Sequence, residues 1–169
     1  MKTIYLAGGC FWGTEKVFKS LRGVTDTTVG YANGHTLNPT YRQVCTDTTG
    51  HRETVKVVYD PETISLQNIL RVFFLVIDPE LQNRQGEDVG SQYQTGVYYE
   101  APEDLPLIQE VFAAEQAKHP VFFVELLPLS CFYDGEDYHQ DYLDKNPSGY
   151  CHITPHEMAE VAELAKTFQ

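Results

Sequence analysis

Runs of alternating apolar and polar residues trade places along this chain with stretches whose apolar residues recur every third or fourth position. Residues 3–8 read as a short strand and 10–21 as a helix stopped at Gly23. Residues 24–32 form another strand, and "ETVKVVYD" follows with Val55, Val57 and Tyr59 on one face. In "SLQNILRVFFLVID", Leu66, Ile69, Leu70, Phe73, Phe74 and Ile77 fall at helical spacing and mark a core helix. "VYYE" is a strand, 104–118 an amphipathic helix with Leu105, Ile108, Val111 and Phe112 inward, and "VFFVELL" a buried strand. "EDYHQDYLDKN" has the pattern of one further helical stretch. "TPHE" has the form of a capping box, with Thr154 as N-cap, Pro155 at the first helical position and Glu157 reaching back. The helix it starts, 155–168, carries Met158, Val161, Ala162, Ala165 and Phe168. Strands alternating with helices restrict the class to α/β or α+β, a mixed sheet covered by helices. At 169 residues, one domain or a core domain with a tail is expected.

Two long polar connections interrupt the pattern, "NGHTLNPTYRQVCTDTTGHR" and "PELQNRQGEDVGSQYQTG". Loops of that length in a compact domain are usually functional or mobile. The formal net charge of −12 argues against nucleic acid, whose phosphates need a basic footprint, and against an anionic membrane surface. No apolar run approaches the ~18 residues of a membrane span, and the opening "MKTIYLAGG" is too short for a secretory signal. A cytoplasmic protein is expected. Its four cysteines, Cys10, Cys45, Cys131 and Cys151, are widely spaced with no C-x-x-C, which disfavours a zinc site. In a reducing compartment such thiols are either inert or chemically active.

The stretch "GGCFWG" decides between these for Cys10. On a helical wheel Cys10, Thr14, Val17, Phe18 and Leu21 share a face with Phe11 at its margin. Trp12 falls with Glu15, Lys16 and Lys19 on the polar stripe, so periodicity does not make it core. It is either idle or the wall of a pocket. A free thiol with a pKa of ~8.5 is only ~3% thiolate at pH 7. The positive end of a helix lowers that value. Gly8 and Gly9 allow a sharp turn and close approach of a ligand. The stretch therefore describes a nucleophile with an apolar aromatic pocket beside it.

These residues resemble the signature of peptide methionine sulfoxide reductase A, the enzyme for the S epimer of the sulfoxide. The similarity continues through "GYANGHTLNPTYRQVCTDTTGHRETVKVVYD", "GEDVGSQYQTGVYY" and "FYDGEDYHQDYLDKNPSGYC", over about residues 3–152. It implies an α+β sandwich with a ferredoxin-like core: a mixed central sheet covered by helices, long active-site loops and a C-terminal segment bearing the resolving cysteine. The expected organisation is one domain, 1–169, with its core at about 1–152 and a C-terminal helix at 153–169.

The resemblance also implies roles. Cys10 attacks the sulfoxide sulfur, Phe11 and Trp12 hold the methyl group, and Glu53 protonates the departing oxygen. Tyr41 and Tyr93 donate hydroxyls to that oxygen, and Asp88 orders the site. A carboxylate and a thiolate ~4 Å apart at a dielectric of ~20 repel by ~4 kcal/mol, or ~3 pKa units. Glu53 is therefore expected to stay protonated. The sulfenic acid left on Cys10 is resolved by Cys151, and the disulfide is reduced by thioredoxin, or by dithiothreitol in its place. Family members often carry a further cysteine in a glycine-rich tail. This tail is a capped helix without one, so a single exchange is expected in place of a relay. Cys45 and Cys131 are expected to be structural, and His139 to brace the fold or pocket by hydrogen bonds. The reading needs no metal and no cofactor beyond the external reductant. The substrate is methionine sulfoxide, free or in oxidised proteins, and the chain is expected to be a monomer.

From the residues alone two other classes stay open, another thiol enzyme and a non-catalytic binding module. A Cys-His hydrolase needs a base aligned with Cys10, which the sequence does not place, and a thiol peroxidase has no use for a methyl pocket. A module that only binds oxidised peptides would be indifferent to Cys10→Ser.

Overall fold

The computed structural model describes residues 1–168. Its strands are β1 (Lys2–Ala7), β2 (Val24–Ala32), β3 (Arg52–Tyr59), β4 (Arg84–Gln85), β5 (Asp88–Val89), β6 (Gly96–Tyr99), β7 (Glu125–Pro128) and β8 (Phe132–Asp134). Its α-helices are α1 (Phe11–Lys19), α2 (Tyr41–Val44), α3 (Leu66–Val76), α4 (Leu105–Gln116), α5 (Tyr142–Lys145) and α6 (Pro155–Ala165). Six strands form one sheet in the order β7-β6-β1-β3-β2-β8, and β4-β5 is a separate hairpin. All pairs in the large sheet are antiparallel except β6–β7. Within it β1-α1-β2-β3-α3-β6 is a split βαβ arrangement, the ferredoxin-like core of an α+β fold.

Period-two alternation sets the two faces of the sheet. Ile4, Leu6, Val29, Tyr31, Val55, Val57 and Val97 are fully buried on the side packed by Val17 and Phe18 of α1 and Ile69, Leu70 and Phe73 of α3. Tyr5, Ala7, Ala32 and Tyr98 form a smaller cluster with Leu129 and Phe132. Ser65 caps α3 by accepting from the Asn68 N–H, and Thr154 and Glu157 make the reciprocal capping box of α6.

Several elements differ from the sequence expectation. The helix after β1 starts at Phe11, with Cys10 as its N-cap, and ends at Lys19. "VFFVELL" does not make a buried strand: β7 begins only at Glu125, pairs on one side, and leaves Val121, Phe123 and Leu127 more than a third exposed. At the sheet edge, only one face and one backbone ladder of this segment are covered. The expected stretch over "EDYHQDYLDKN" is broken into a 3₁₀ turn, Asp137–His139, and α5. The break is Asp141, whose backbone is left-handed at φ 54°. It bends so that its N–H can donate to Glu15 Oε1 at 2.7 Å. Glu15 is buried by this segment, although periodicity had put it on the polar stripe. Its other oxygen accepts from Thr27 Oγ1 at 2.9 Å. The tail helix stops at Ala165 and a 3₁₀ turn completes it to Phe168.

Candidate active site

The site is assembled where β1 ends, α1 begins and β3 enters the sheet. Cys10 is the N-cap of α1 and is 7% exposed. Gly9, at φ +86°, makes the turn from β1 in a conformation that side chains resist. Glu53 shares the parity of Val55 and Val57, so alternation aims it at the helix-covered face. It is 1% exposed and pairs across the sheet with Tyr31. Its Oε1 accepts from the Phe11 N–H at 3.1 Å. Its Oε2 is buried without a hydrogen-bond partner.

Burial pushes the Glu53 carboxyl up to about 8; the Phe11 N–H opposes this and the charge of Asp88 adds to it. At pH 7 the group is largely neutral, and Oε2 is the free position for its proton. Burial also raises the Cys10 thiol, with Glu53 next, against the lowering effect of the Trp12 N–H. This departs from the sequence argument that the helix start lowers it. One backbone N–H does not offset removal of the thiolate from water. The resting site therefore holds two protons, one on sulfur and one on carboxyl.

Phe11 is 1% exposed, its ring 5.7 Å from Tyr31, 6.5 Å from Tyr41 and 5.2 Å from His139. Trp12 is half-buried. It stacks on Tyr142 with centroids 3.7 Å apart and planes at 11°. Its Nε1–H donates to His139 Nδ1 at 3.0 Å. An indole nitrogen only donates, so the proton of His139 sits on Nε2. Burial lowers the His139 pKa and keeps the ring a neutral acceptor.

Both long loops deliver a tyrosine. The Tyr41 N–H donates to Glu136 Oε2 at 3.0 Å, and Glu136 Oε1 accepts from Tyr31 at 2.7 Å. Tyr93 lies in a 3₁₀ turn, Ser91–Tyr93, after β5. Burial, followed by the charge of Glu53, raises both phenols, so both remain donors. Asp88, on β5, accepts from Tyr150 Oη at 2.9 Å. Cys151 is half-buried in the segment before α6, and its thiol donates to the Ile153 carbonyl at 3.3 Å. It reaches the first turn of α1: a Cβ placed on Gly13 would stand only 2.8 Å from Cys151 Sγ. All eight sequence-selected residues thus lie around this helix start, with Cys10, Cys45, Cys131 and Cys151 all free thiols. Cys45 is exposed just after α2, and Cys131 donates to the Gly34 carbonyl.

Sequence reading missed Tyr31, Glu136, Tyr142, Tyr150 and His152. Tyr31 was open to discovery through strand parity, but the others depend on which segments fold over α1. Among the described residues no group of three His, Cys, Asp or Glu side chains is placed to hold a metal, and no helix is long and apolar enough to cross a membrane.

Comparison with known proteins is consistent along the chain. A family model described as peptide methionine sulfoxide reductase matches residues 2–168. The chain is 53% identical over 154 residues to a peptide methionine sulfoxide reductase MsrA of Clostridium acetobutylicum, covering 90% of this chain and 95% of that one. Its fold superposes on reduced Mxr1 of Saccharomyces cerevisiae with a TM-score of 0.86 at 38% identity, over 90% of this chain and 91% of that one. It also matches Mxr1 in complex with Trx2, with a TM-score of 0.59 at 28% identity over 83% and 84% of the two chains.

Proposed function

The chain belongs to the peptide methionine sulfoxide reductase family, an oxidoreductase family, and on that premise we propose how its residues carry out the reaction. Methionine sulfoxide binds with its methyl group between Phe11 and Trp12 and its oxygen toward Glu53, Tyr41 and Tyr93. Cys10 Sγ attacks the sulfoxide sulfur, and the oxygen is protonated by Glu53 Oε2–H as the S–O bond polarises. With the Cys10 proton added the oxygen leaves as water, and a Cys10–sulfur bond takes its place. Water attacking Cys10 Sγ then breaks that bond, releases methionine, leaves Cys10 as the sulfenic acid and returns a proton to Glu53. The two protons held at rest suit this order, because neither group ionises until the sulfoxide oxygen offers a base. The observation that carries the reading is the buried carboxyl with one unpartnered oxygen beside an N-cap thiol.

Cys151 then attacks Cys10, and a dithiol of the thioredoxin type reduces the disulfide. Mxr1 bound to Trx2 supports that choice of partner. A cleft of about 480 Å³, lined in part by Lys16, Leu143 and Met158, opens onto Cys151 and offers the approach. The same reading takes the chain as one functional unit, a core at about 1–152 followed by the segment 153–169, whose last residue lies outside those described, working as a cytoplasmic monomer without bound cofactor, on free or protein-bound S-sulfoxide. Mass spectrometry after one turnover with each sulfoxide epimer tests it. The S epimer should yield one methionine per chain and a Cys10–Cys151 disulfide, and Cys10→Ser should yield neither. Methionine formation by Cys10→Ser at the unaltered rate would overturn the assignment.

A further inference from the structure

His152 follows the resolving cysteine directly and is packed under α1. Its Nε2 lies 2.8 Å from the Gly8 carbonyl oxygen. A carbonyl only accepts, so Nε2 carries the ring proton and Nδ1 carries the lone pair. That Nδ1 is buried and has no hydrogen-bond partner. His51 uses both nitrogens, with the Gly34 N–H and the Thr36 carbonyl. His139 and His152 each leave one unpartnered, but only that of His152 lies beside a cysteine and is the acceptor nitrogen, since the free Nε2 of His139 carries its proton. Nδ1 lies in the same space as the resolving thiol, which at rest donates to the Ile153 carbonyl and has to rotate away from it to reach the nitrogen. A Cβ on Gly13 would stand 2.8 Å from Cys151 Sγ and 3.3 Å from His152 Nδ1. The two atoms therefore close over the same bare Cα on the first turn of α1, three residues from Cys10.

We propose that His152 Nδ1 is the base for the resolving step, taking the proton of Cys151 as its sulfur attacks the Cys10 sulfenic acid. The S–S bond forms and the S–O bond of Cys10 breaks. The Cys151 sulfur is oxidised and the sulfenic sulfur reduced. The proton taken by Nδ1 passes to the departing hydroxide, which leaves as water. The step needs a base because burial raises the Cys151 thiol above the ordinary range. His152 is available for it because burial lowers its own pKa and leaves it neutral. The charged groups near the ring are the Asp88 carboxylate from β5 and Glu157 from α6, and the Cys151 thiol shares with it the space over Gly13. The Gly8 contact fixes the tautomer through the Nε2 edge of the ring, which makes Gly8 a positioning group for the step.

The inference rests on the Cys10–Cys151 disulfide proposed above, and one experiment separates the two. Wild-type protein and His152→Gln are mixed with methionine S-sulfoxide, and methionine and disulfide are followed by rapid quench, alkylation and peptide mapping from pH 6 to 10. Glutamine can still donate to the Gly8 carbonyl but has no base. The methionine burst reports an intact first site. At pH 7 the disulfide should form at least tenfold more slowly in His152→Gln, and the deficit should close toward pH 10 as solvent ionises Cys151. In wild-type protein the rate should already be level by pH 7. Equal rates at pH 7, a deficit constant across the range, or a wild-type rate rising tenfold per pH unit to pH 9 would each overturn the base assignment while leaving the disulfide in place. Absence of the disulfide from the wild-type protein would overturn the resolving reading itself, and this inference with it.

Discussion

Replacing Glu53 by glutamine should disable the enzyme and stabilise the fold, and the stabilisation should grow with pH. In the native protein the carboxyl is raised from 4.5 to about 8. Between those values the unfolded chain has released the proton and the folded chain keeps it. The unfolded state binds fewer protons, so stability falls as pH rises through this window and levels off above about 8. At ~1.36 kcal/mol per pKa unit, the penalty grows from less than ~1 kcal/mol at pH 5 to nearly ~5 kcal/mol at pH 8.5. Glutamine does not titrate. Its amide also keeps an oxygen for the Phe11 N–H, and any misfit of its NH₂ is the same at both pH values. The stability difference between Glu53→Gln and wild type should therefore shift by about 4 kcal/mol in favour of the variant between pH 5 and pH 8.5. Urea unfolding of both proteins at the two pH values measures this shift. Single-turnover methionine release by the variant should be ~10²–10⁴-fold slower, the usual contribution of a positioned acid. A shift below ~1 kcal/mol would show that Glu53 ionises freely in the native state, and the proton-donor argument would fail with it.

Three further outcomes follow from contacts around α1. Gly13→Ala places a methyl 2.8 Å from Cys151 Sγ, so the methionine burst should persist while disulfide formation slows at least tenfold in quenched samples. Glu15→Ala leaves the Asp141 N–H and Thr27 Oγ1 without their buried acceptor, costing about 1–3 kcal/mol in urea unfolding and speeding amide exchange over residues 140–145. Thr154→Ala removes the cap of α6, and a loss of about 1 kcal/mol is expected by thermal unfolding.

The segment 137–145 acts as a brace for the substrate pocket. His139 and Tyr142 hold the edge and face of Trp12, and Glu15 pins the backbone between them. Gln140 reinforces it by bonding both the N–H and the carbonyl of Val29, as a paired strand would. Lys16 and Lys19 tie the same segment to α1 through Asp141 and Asp144, but these exposed pairs contribute little each. Buried hydrogen bonds and ring stacking therefore do most of the fixing.

Local pattern was enough for the central architecture. Two periodicities, 3.6 and 2, located β1, β2, β3, α3 and α4, and capping chemistry marked the start of α6, because each depends on residues close in sequence. The "GGCFWG" turn likewise exposed Cys10, and the family resemblance supplied the other candidate positions. The edge strand β7, the break at Asp141, the burial of Glu15 and the raised thiol of Cys10 were not legible in this way. Each is set by a partner about 30 to 130 residues distant, through desolvation or a hydrogen bond that exists only after the chain closes. The unpartnered nitrogen of His152 is of the same kind. A histidine beside a cysteine carries no direction in sequence, and only the Gly8 carbonyl and the bare Cα of Gly13 determine which nitrogen holds the lone pair and what lies beside it.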